Sequence, residues 1–337
     1  MSFDCVVIGG GAAGMMAAIQ CKENNMQTVI IEHTAKLGTK ILKTGNGKCN
    51  FSNTFMTKEM YQNNNADYAM RIINRFNVDD TIHFFENLSV YKKERNGYLY
   101  PRSEMAASVA LALTGKIHAL DIPVFFETSV KRIDNAGSEY VLQLEGAKTN
   151  TIKTKTVILA CGSAASPSSG SDGSGYKLVR KLGVKVVKPL PALTALESDK
   201  KNMKLATGVR ALGNVKIMAA GRVVAEDTGE IQFTDYGISG IPVFQVSRFA
   251  VRAMEEGQRV EALVDVAADI KEDDLLSMLK CAVNTRKHQS VSESMSGLFN
   301  KKLVMMICKD FGIESNSSAS DIDADICQRL ARYMKFL

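Results

Sequence analysis

Asp4-Cys-Val-Val-Ile-Gly-Gly-Gly-Ala-Ala-Gly-Met-Met-Ala-Ala-Ile19 decides how this chain reads. Cys5 to Ile8 is a short apolar run suited to a strand buried on both faces. Gly9, Gly11 and Gly14 follow with G-x-G-x-x-G spacing, and Ala12 to Cys21 is rich in small residues and Met, as a helix pressed on a sheet is. Each glycine has its own task in a dinucleotide turn. Gly9 permits the sharp bend, Gly11 lets a pyrophosphate approach the backbone, and Gly14 lets the helix pack closely on the strand. The N–H groups that open the helix, at Ala12 and Ala13, favour phosphates together with the helix dipole. A second strand, Thr28 to Glu32, comes next. Glu32 stands 23 positions after Gly9, where an acidic strand-end residue bonds a ribose diol, and His33 adjoins it.

Composition narrows the rest. A chain of 337 residues with 45% hydrophobic content predicts two or three domains with proper cores. No apolar run approaches the ~18 residues of a membrane span. The start, Met-Ser-Phe-Asp, has no basic leader region, so a cytoplasmic protein without a signal peptide is expected. Seven cysteines, none spaced C-x-x-C, fit reduced thiols and exclude a disulfide framework. His33, His83, His118 and His288 show no metal spacing, so no metal is expected. The net charge of +6 comes from basic residues scattered among 36 acidic ones, so nucleic acid is not an expected partner. The densest basic stretch, Lys36 to Lys48, lies beside the glycine motif, where phosphates account for it. Neither a G-x-S-x-G elbow nor a P-loop occurs, which argues against hydrolase and NTPase chemistry.

Further along, residues 36–53 read as an ordered glycine-rich loop. Helices are expected over 67–76, over 79–88 with Asp79 as N-cap, and after Ser103 as N-cap, where Ala106, Val109, Leu113, Ile117 and Leu120 step by three or four. Residues 123–130 predict a strand, 139–144 with 148–153 a hairpin, and 156–160 a further buried strand. Pro189 and Pro191 mark a boundary. Three regions are expected: 1–190 nucleotide-binding, 191–269 β-rich, and 270–337 helical.

Four more segments carry a resemblance. They are Leu37-Gly-Thr-Lys-Ile-Leu-Lys-Thr-Gly-Asn-Gly-Lys-Cys-Asn-Phe-Ser-Asn53, Tyr100-Pro-Arg-Ser103, Val157-Ile-Leu-Ala-Cys-Gly-Ser-Ala-Ala-Ser-Pro-Ser-Ser-Gly-Ser-Asp-Gly-Ser-Gly-Tyr176, and Gly229-Glu-Ile-Gln-Phe-Thr-Asp-Tyr-Gly-Ile-Ser-Gly-Ile-Pro242. With the opening motif they resemble the bacterial BaiN-like, or aminoacetone-oxidase-like, FAD-dependent oxidoreductases of the glutathione-reductase-like superfamily. The likeness runs in order over residues 3 to about 245 and more loosely to the end; its most specific part is 45–53.

That resemblance implies an α/β fold: a Rossmann-like FAD/NAD(P)-binding domain with an inserted β-rich domain and a small helical domain. It implies FAD in the first nucleotide site and hydride transfer between flavin and a small or steroid-like organic substrate, with NAD(P)H or oxygen as electron partner. Relatives oxidise amines or reduce enones, so the substrate stays open. The loop carrying Lys40, Gly45, Gly47, Lys48, Cys49 and Asn50 is implied to lie along the flavin, Val130 to meet the adenine, and Ala160-Cys161-Gly162 to form a turn near the cofactor. Asn46 and Lys48 stand where Gly and Arg are usual, and residues 163–166 lack the usual Gly and Tyr. The resemblance also implies a closing stretch of FAD domain that residues 270–337 do not supply.

Cys49 lacks a neighbouring cysteine, which favours a structural thiol over a redox pair. Arg102 either holds an anionic substrate or flavin edge, or pins its loop. A bound flavin needs few protein groups beyond orientation and potential, so the sequence names no catalytic side chain. An RNA-modifying flavoprotein and a nucleotide binder without turnover are the alternative readings. Oligomeric state is left open.

Overall fold

Residues 5–8 are apolar throughout because they feed two cores. In the computed structural model, which describes residues 1–61 and 65–337, β1 (Ser2–Ile8) lies inside a six-stranded sheet. Cys5 and Val7 face one core together with Met15, Ala18 and Ile19 of α1 (Ala12–Glu23). Val6 and Ile8 face the other. In β2 (Thr28–Ile31), Ile30 joins the first core, and Val29 and Ile31 the second. This is the period-two alternation of a strand covered on both sides. Each large side chain so buried contributes ~1.5–3 kcal/mol.

A small antiparallel sheet follows, built from β3 (Ser52–Asn53), β4 (Lys92–Arg95) and β5 (Tyr98–Pro101). Between its strands lie α2 (Ala66–Ile73) and α3 (Val78–Glu86). The latter begins one residue ahead of the expected Asp79, because Asn77 is the better cap. Its side chain accepts from the Asp79 and Asp80 amides, and Asp80 reaches back to the Asn77 amide. At the start of α4 (Ala106–Ala119) the N-cap is Met105. Ser103, expected to cap it, instead meets the Ser108 hydroxyl at 2.7 Å.

The main sheet is completed by β6 (Val124–Phe125), β7 (Ser129–Asn135), β8 (Tyr140–Glu145) and β9 (Thr151–Leu159) in the order β6-β2-β1-β9-β8-β7. Strands β6, β2, β1 and β9 are parallel; β7, β8 and β9 form an antiparallel meander. Two expectations change here. Residues 123–130 are two strands, split by a turn at Glu127 (φ +49°) where the chain crosses the end of β2. Residues 151–159 are one strand, not two: Thr151–Thr154 pairs with β8, and Lys153–Leu159 pairs with β1. The change of composition near Thr156 records a change of neighbour. The short α5 (Ser174–Lys181) then closes the first of two compact units, Met1–Pro189.

In the second unit, Leu190–Leu337, β10 (Leu196–Glu197), β11 (Arg210–Ala219), β12 (Arg222–Phe233) and β13 (Gly237–Gly240) precede α6 (Ile241–Glu255) and β14 (Val260–Asp265). The sheet is antiparallel, in the order β10-β13-β12-β11-β14. Four helices follow: α7 (Glu272–Thr285), α8 (Val291–Ser294), α9 (Lys301–Asp310) and α10 (Ala324–Lys335). Val215, Ile217 and Phe233 of the sheet share one core with Leu275, Leu303 and Leu330 of the helices. The division expected between 269 and 270 therefore falls inside a single core. Among the described residues, no helix is long and apolar enough to cross a membrane.

Candidate functional site

The glycines of the opening motif do three different things at the carboxyl ends of β1 and β9. Gly9 holds φ +107°, and a Cβ there would lie 2.6 Å from the Ala160 carbonyl oxygen. A Cβ on Gly14 would lie 1.8 Å from the Gly9 carbonyl oxygen, so α1 reaches its seat only without a side chain there. Gly11 is different: its Cβ would meet nothing within 4 Å. The missing side chain at Gly11 opens onto space. No side chain caps α1, and its first turn holds no acidic residue, so its N-terminal potential faces that space unopposed.

Glu32 is almost fully buried and tightly engaged. The Gly10 amide donates to its Oε2 at 2.6 Å, and the Thr34 amide and hydroxyl each donate to its Oε1 at 2.7 Å. Its carboxylate thus ties the glycine turn to the segment after β2. Oε2, with one donor, keeps accepting capacity for a hydroxyl. His33 Nδ1 lies 3.3 Å from Glu32 Oε1. Its ring is close-packed on Gly170, where a Cβ would come within 2.8 Å of it.

These residues line a cleft of about 620 Å³, within the ordinary range of small-molecule sites, ~300–1,000 Å³. Of the residues singled out from sequence, Gly9, Gly11, Ala12, Ala13, Glu32 and His33 line it, as do Lys40, Val130, Ala160 and Gly162. Val130 sits near the start of β7, not at a strand end as expected, but still on the wall. Gly14 lies behind the wall in a packing role.

Five expected residues are not brought to this cleft: Gly45, Gly47, Lys48, Cys49 and Asn50. The lining stops at Thr44 because the chain turns away through Gly45 (φ +54°) and Asn46 (φ +55°). Asn46, where the resemblance has Gly, is thus in the left-handed region that Asn tolerates best among larger residues. Lys48 points to Glu104 at 3.9 Å. The side-chain nitrogen of Asn50, with its amide in the orientation that satisfies both ends, donates to the carbonyls of Ser52 (2.8 Å) and Leu99 (3.2 Å), bracing β3 and β5. Arg102 does not line the cleft either; its amide donates to the Tyr91 carbonyl at 2.7 Å.

Other wall residues were not singled out as site residues from the sequence. Ser169–Asp172 form one side, folded inward because Ser166 and Ser171 bridge and because Lys43 Nζ donates to Ser168 Oγ at 3.3 Å. Lys177 and Lys181 of α5 form another. With Lys40 and Lys131, four lysines face two carboxylates, Glu32 and Asp172. The Ser174 hydroxyl and amide hold Asp172 below the usual carboxylate range. The helical spacing of Lys177 and Lys181 was the one available hint.

The cysteines offer no reactive pair at the cleft. Cys161 lines it, and burial pushes its thiol up to about 11. Burial likewise raises Cys49, which sits at φ +57° with its amide donating to the Thr44 carbonyl at 3.0 Å. Both thiols are neutral at physiological pH, which suits packing and not nucleophilic attack. Cys5 and Cys21 approach to 3.7 Å between β1 and α1, behind the wall, and all seven cysteines are free.

An open backbone cradle at Gly11, an uncapped helix start, a buried carboxylate with spare accepting capacity and an excess of lysines fit a dinucleotide with a pyrophosphate and a ribose diol. Comparison with known proteins agrees. The family model for the HI0933-like protein Rossmann domain matches residues 3–300. The chain is 34% identical over 331 residues to the 3-dehydro-bile acid delta(4,6)-reductase of Clostridium scindens, across 98% of this chain and 80% of that protein. It is 24% identical over 306 residues to the ribosomal RNA dihydrouridine synthase of Escherichia coli, across 90% of this chain and 72% of that protein. Among solved structures, the thioredoxin reductase of Streptococcus pyogenes matches 48% of this chain and 35% of its own at 20% identity, with a TM-score of 0.28.

Proposed function

Because this chain belongs to the HI0933-like Rossmann family and is an FAD-dependent oxidoreductase, we propose that it saturates a carbon–carbon double bond conjugated to a carbonyl in a small organic substrate, drawing electrons from NAD(P)H. The observation that carries the nucleotide half is the open cradle at Gly11 beside buried Glu32. The reaction half is supported by the chemistry in two relatives' names. A delta(4,6)-reductase acting on a 3-dehydro steroid removes ring alkenes conjugated to a ketone, and dihydrouridine is uridine whose ring double bond, beside a carbonyl, has gained two hydrogens.

In this reading the Ala12 and Ala13 amides and Lys40 hold the pyrophosphate, Glu32 accepts a ribose hydroxyl, and the backbone around Val130 borders the adenine. The bound flavin supplies hydride donation and acceptance. Gly47, where a Cβ would meet nothing within 4 Å, leaves the backbone bare beyond the point where the chain departs from the cleft, so the cofactor's far end can run along it. The thiols at the site remain neutral and take no part. Seven free cysteines suit the reducing cytoplasm in which NAD(P)H is available.

The test is an anaerobic incubation of the FAD-loaded protein with NADPH and a 4-en-3-one steroid, analysed by mass spectrometry. A product two hydrogens heavier supports the reading. Peroxide formed with an amine in air, and no saturated product, would make the protein an oxidase instead. The second reading, the same chemistry on uridine in RNA, follows the Escherichia coli relative and predicts dihydrouridine in treated ribosomal RNA.

A further inference from the structure

The chain that leaves β9 does not stay on its own side of the sheet. β1 lies between β9 and β2, which sets those two strands two spacings apart, ~10 Å. Yet residues 163–172 come to rest against groups that follow β2. Lys43 Nζ donates to the Ser168 hydroxyl at 3.3 Å and to its carbonyl at 3.4 Å. The His33 ring lies so close on Gly170 that a Cβ there would come within 2.8 Å of it. The segment therefore crosses the carboxyl end of β1, where the glycine turn stands. Ser169 to Asp172 wall the same cleft as Gly9 to Ala13.

The middle of this crossing is tied to itself. Ser166 and Ser171 exchange amide-to-carbonyl bonds at 3.2 and 3.1 Å, and the Gly170 amide donates to the Pro167 carbonyl at 3.0 Å. The Ser169 hydroxyl donates to that of Ser166 at 2.7 Å. Ser169 and Ser171 are buried. With these bonds made internally, residues 166–171 can swing as one body. A glycine at positive φ stands at each end, Gly162 (+75°) and Gly173 (+77°). Glycine absorbs backbone rotation with the least steric cost, which is what a hinge requires. Beyond Gly173 the chain is anchored, because the Ser174 amide at the start of α5 donates to Asp172 Oδ1 at 2.9 Å.

We propose that residues 163–172 are a strap over the dinucleotide cleft, hinged at Gly162 and Gly173, and that Lys43 is the positioning residue that latches it. This deepens the flavin reading and rests on it. A cofactor seated against Gly11 and Glu32 lies beneath the strap, and it enters or leaves when the Lys43–Ser168 contact parts. Lys43 itself is not among the residues that line the cleft, so it acts through the strap. The latch is one exposed side chain on one hydroxyl and one carbonyl, a contact that water replaces at small net cost. That is the strength a gate needs if it is to open and close many times, as loops over active sites do.

The experiment measures both rates of FAD exchange in the unaltered protein, in Lys43→Met and in Lys43→Arg. Stopped-flow flavin fluorescence reads association with the FAD-free protein, and replacement of bound FAD by radiolabelled FAD reads dissociation. Lys43→Met keeps a long side chain and removes the donor. A latch gates passage in both directions, so association and dissociation should each rise by about fivefold, the share of one exposed hydrogen bond, and the dissociation constant should stay within about twofold. Lys43→Arg restores a donor and should bring both rates back toward those of the unaltered protein. Slower association in Lys43→Met would overturn the proposal, because the lysine would then be steering phosphates by charge. Faster dissociation alone, with weaker binding, would also overturn it and make Lys43 a direct cofactor contact. Unchanged rates would show that the strap gates nothing. Protein that takes up no FAD refutes the underlying flavin reading, whereas FAD-binding protein with unaltered rates refutes this inference alone.

Discussion

Adding one methyl group at Gly14 and at Gly11 separates packing from ligand binding within a single turn. In Gly14→Ala the new Cβ would sit 1.8 Å from the Gly9 carbonyl oxygen, 3.0 Å from its carbon and 3.3 Å from Ala160 Cβ. The first two are backbone atoms of a turn fixed by its own hydrogen bonds: the Gly9 amide donates to Ile31 and the Ala160 amide to Ile8, both at 2.8 Å. Relief requires α1 to lift away from β1. Overpacking of that kind costs ~1–3 kcal/mol or more, and the helix-propensity gain of Ala over Gly, about 1 kcal/mol, offsets part of it. A net loss near 2 kcal/mol lowers the melting temperature of a unit this size by about 4–8 °C. Gly11→Ala meets no atom within 4 Å and keeps an ordinary extended backbone (φ −75°, ψ −174°). Its melting temperature should stay within about 2–3 °C, since replacing Gly by Ala where the backbone suits both changes stability by only ~0.4–1 kcal/mol. The methyl, however, projects to where a pyrophosphate must approach. FAD affinity should fall at least about tenfold, roughly 1.4 kcal/mol. Differential scanning fluorimetry and a titration of flavin fluorescence read the two quantities. Gly11→Ala binding FAD as well as the unaltered protein, or Gly14→Ala melting at the unaltered temperature, would refute the division of labour among the glycines.

Glu32→Gln puts an amide where the Gly10 and Thr34 donors point, so one donor loses its acceptor; a loss of ~1–3 kcal/mol and weaker FAD binding are expected in the same two assays. Stability should decline between pH 9 and 11, because an unfolded thiol ionises at its ordinary 9.0 whereas Cys161 and Cys308 hold their protons to about 11. The native state then binds more protons than the unfolded one, so raising pH favours unfolding. Cys161→Ala should flatten part of that slope in urea melts followed against pH. Iodoacetamide at neutral pH should modify exposed Cys281 well before Cys49 or Cys161, as peptide mass mapping would show; equal rates would contradict the packing described for those two thiols. Asn77→Ala removes the side-chain acceptor of the Asp79 and Asp80 amides in the α3 capping box, while the backbone amide at 77 still donates to Asp80; it should cost ~1 kcal/mol, seen as a lower urea midpoint.

The nucleotide end of the cleft was legible because its requirements are local. Gly14 answers to the Gly9 carbonyl and Glu32 to the Gly10 amide, both within one strand–turn–helix–strand unit, and the spacing of that unit records them. The course of the loop at 45–50 was not legible, because its direction is set by single backbone states. Asn46 at φ +55° and Cys49 at φ +57° swing Lys48 toward Glu104 and Asn50 toward Ser52 and Leu99. Composition identifies such a loop but not which way its side chains point. The wall at Ser169–Asp172 had no periodicity to read, and it is placed by Lys43, far away in sequence. The unity of β9 was hidden because one strand changes partners along its length, so its pattern changes where its neighbours do. Asn77 displaced Asp79 as the cap of α3 because polar residues near a helix start compete and side-chain geometry chooses among them; α4 starts after Met105 with no side-chain cap, Ser103 being engaged with Ser108 instead.

The central claim is a flavin cleft that passes electrons from NAD(P)H to a conjugated alkene. Its most direct test is the visible spectrum of the FAD-loaded protein under strict exclusion of oxygen. NADPH should bleach the flavin bands, and subsequent addition of a 4-en-3-one should restore them in proportion to the enone added. A protein that binds no FAD, or flavin bands that stay bleached in excess enone and return only when air is admitted, would contradict the account.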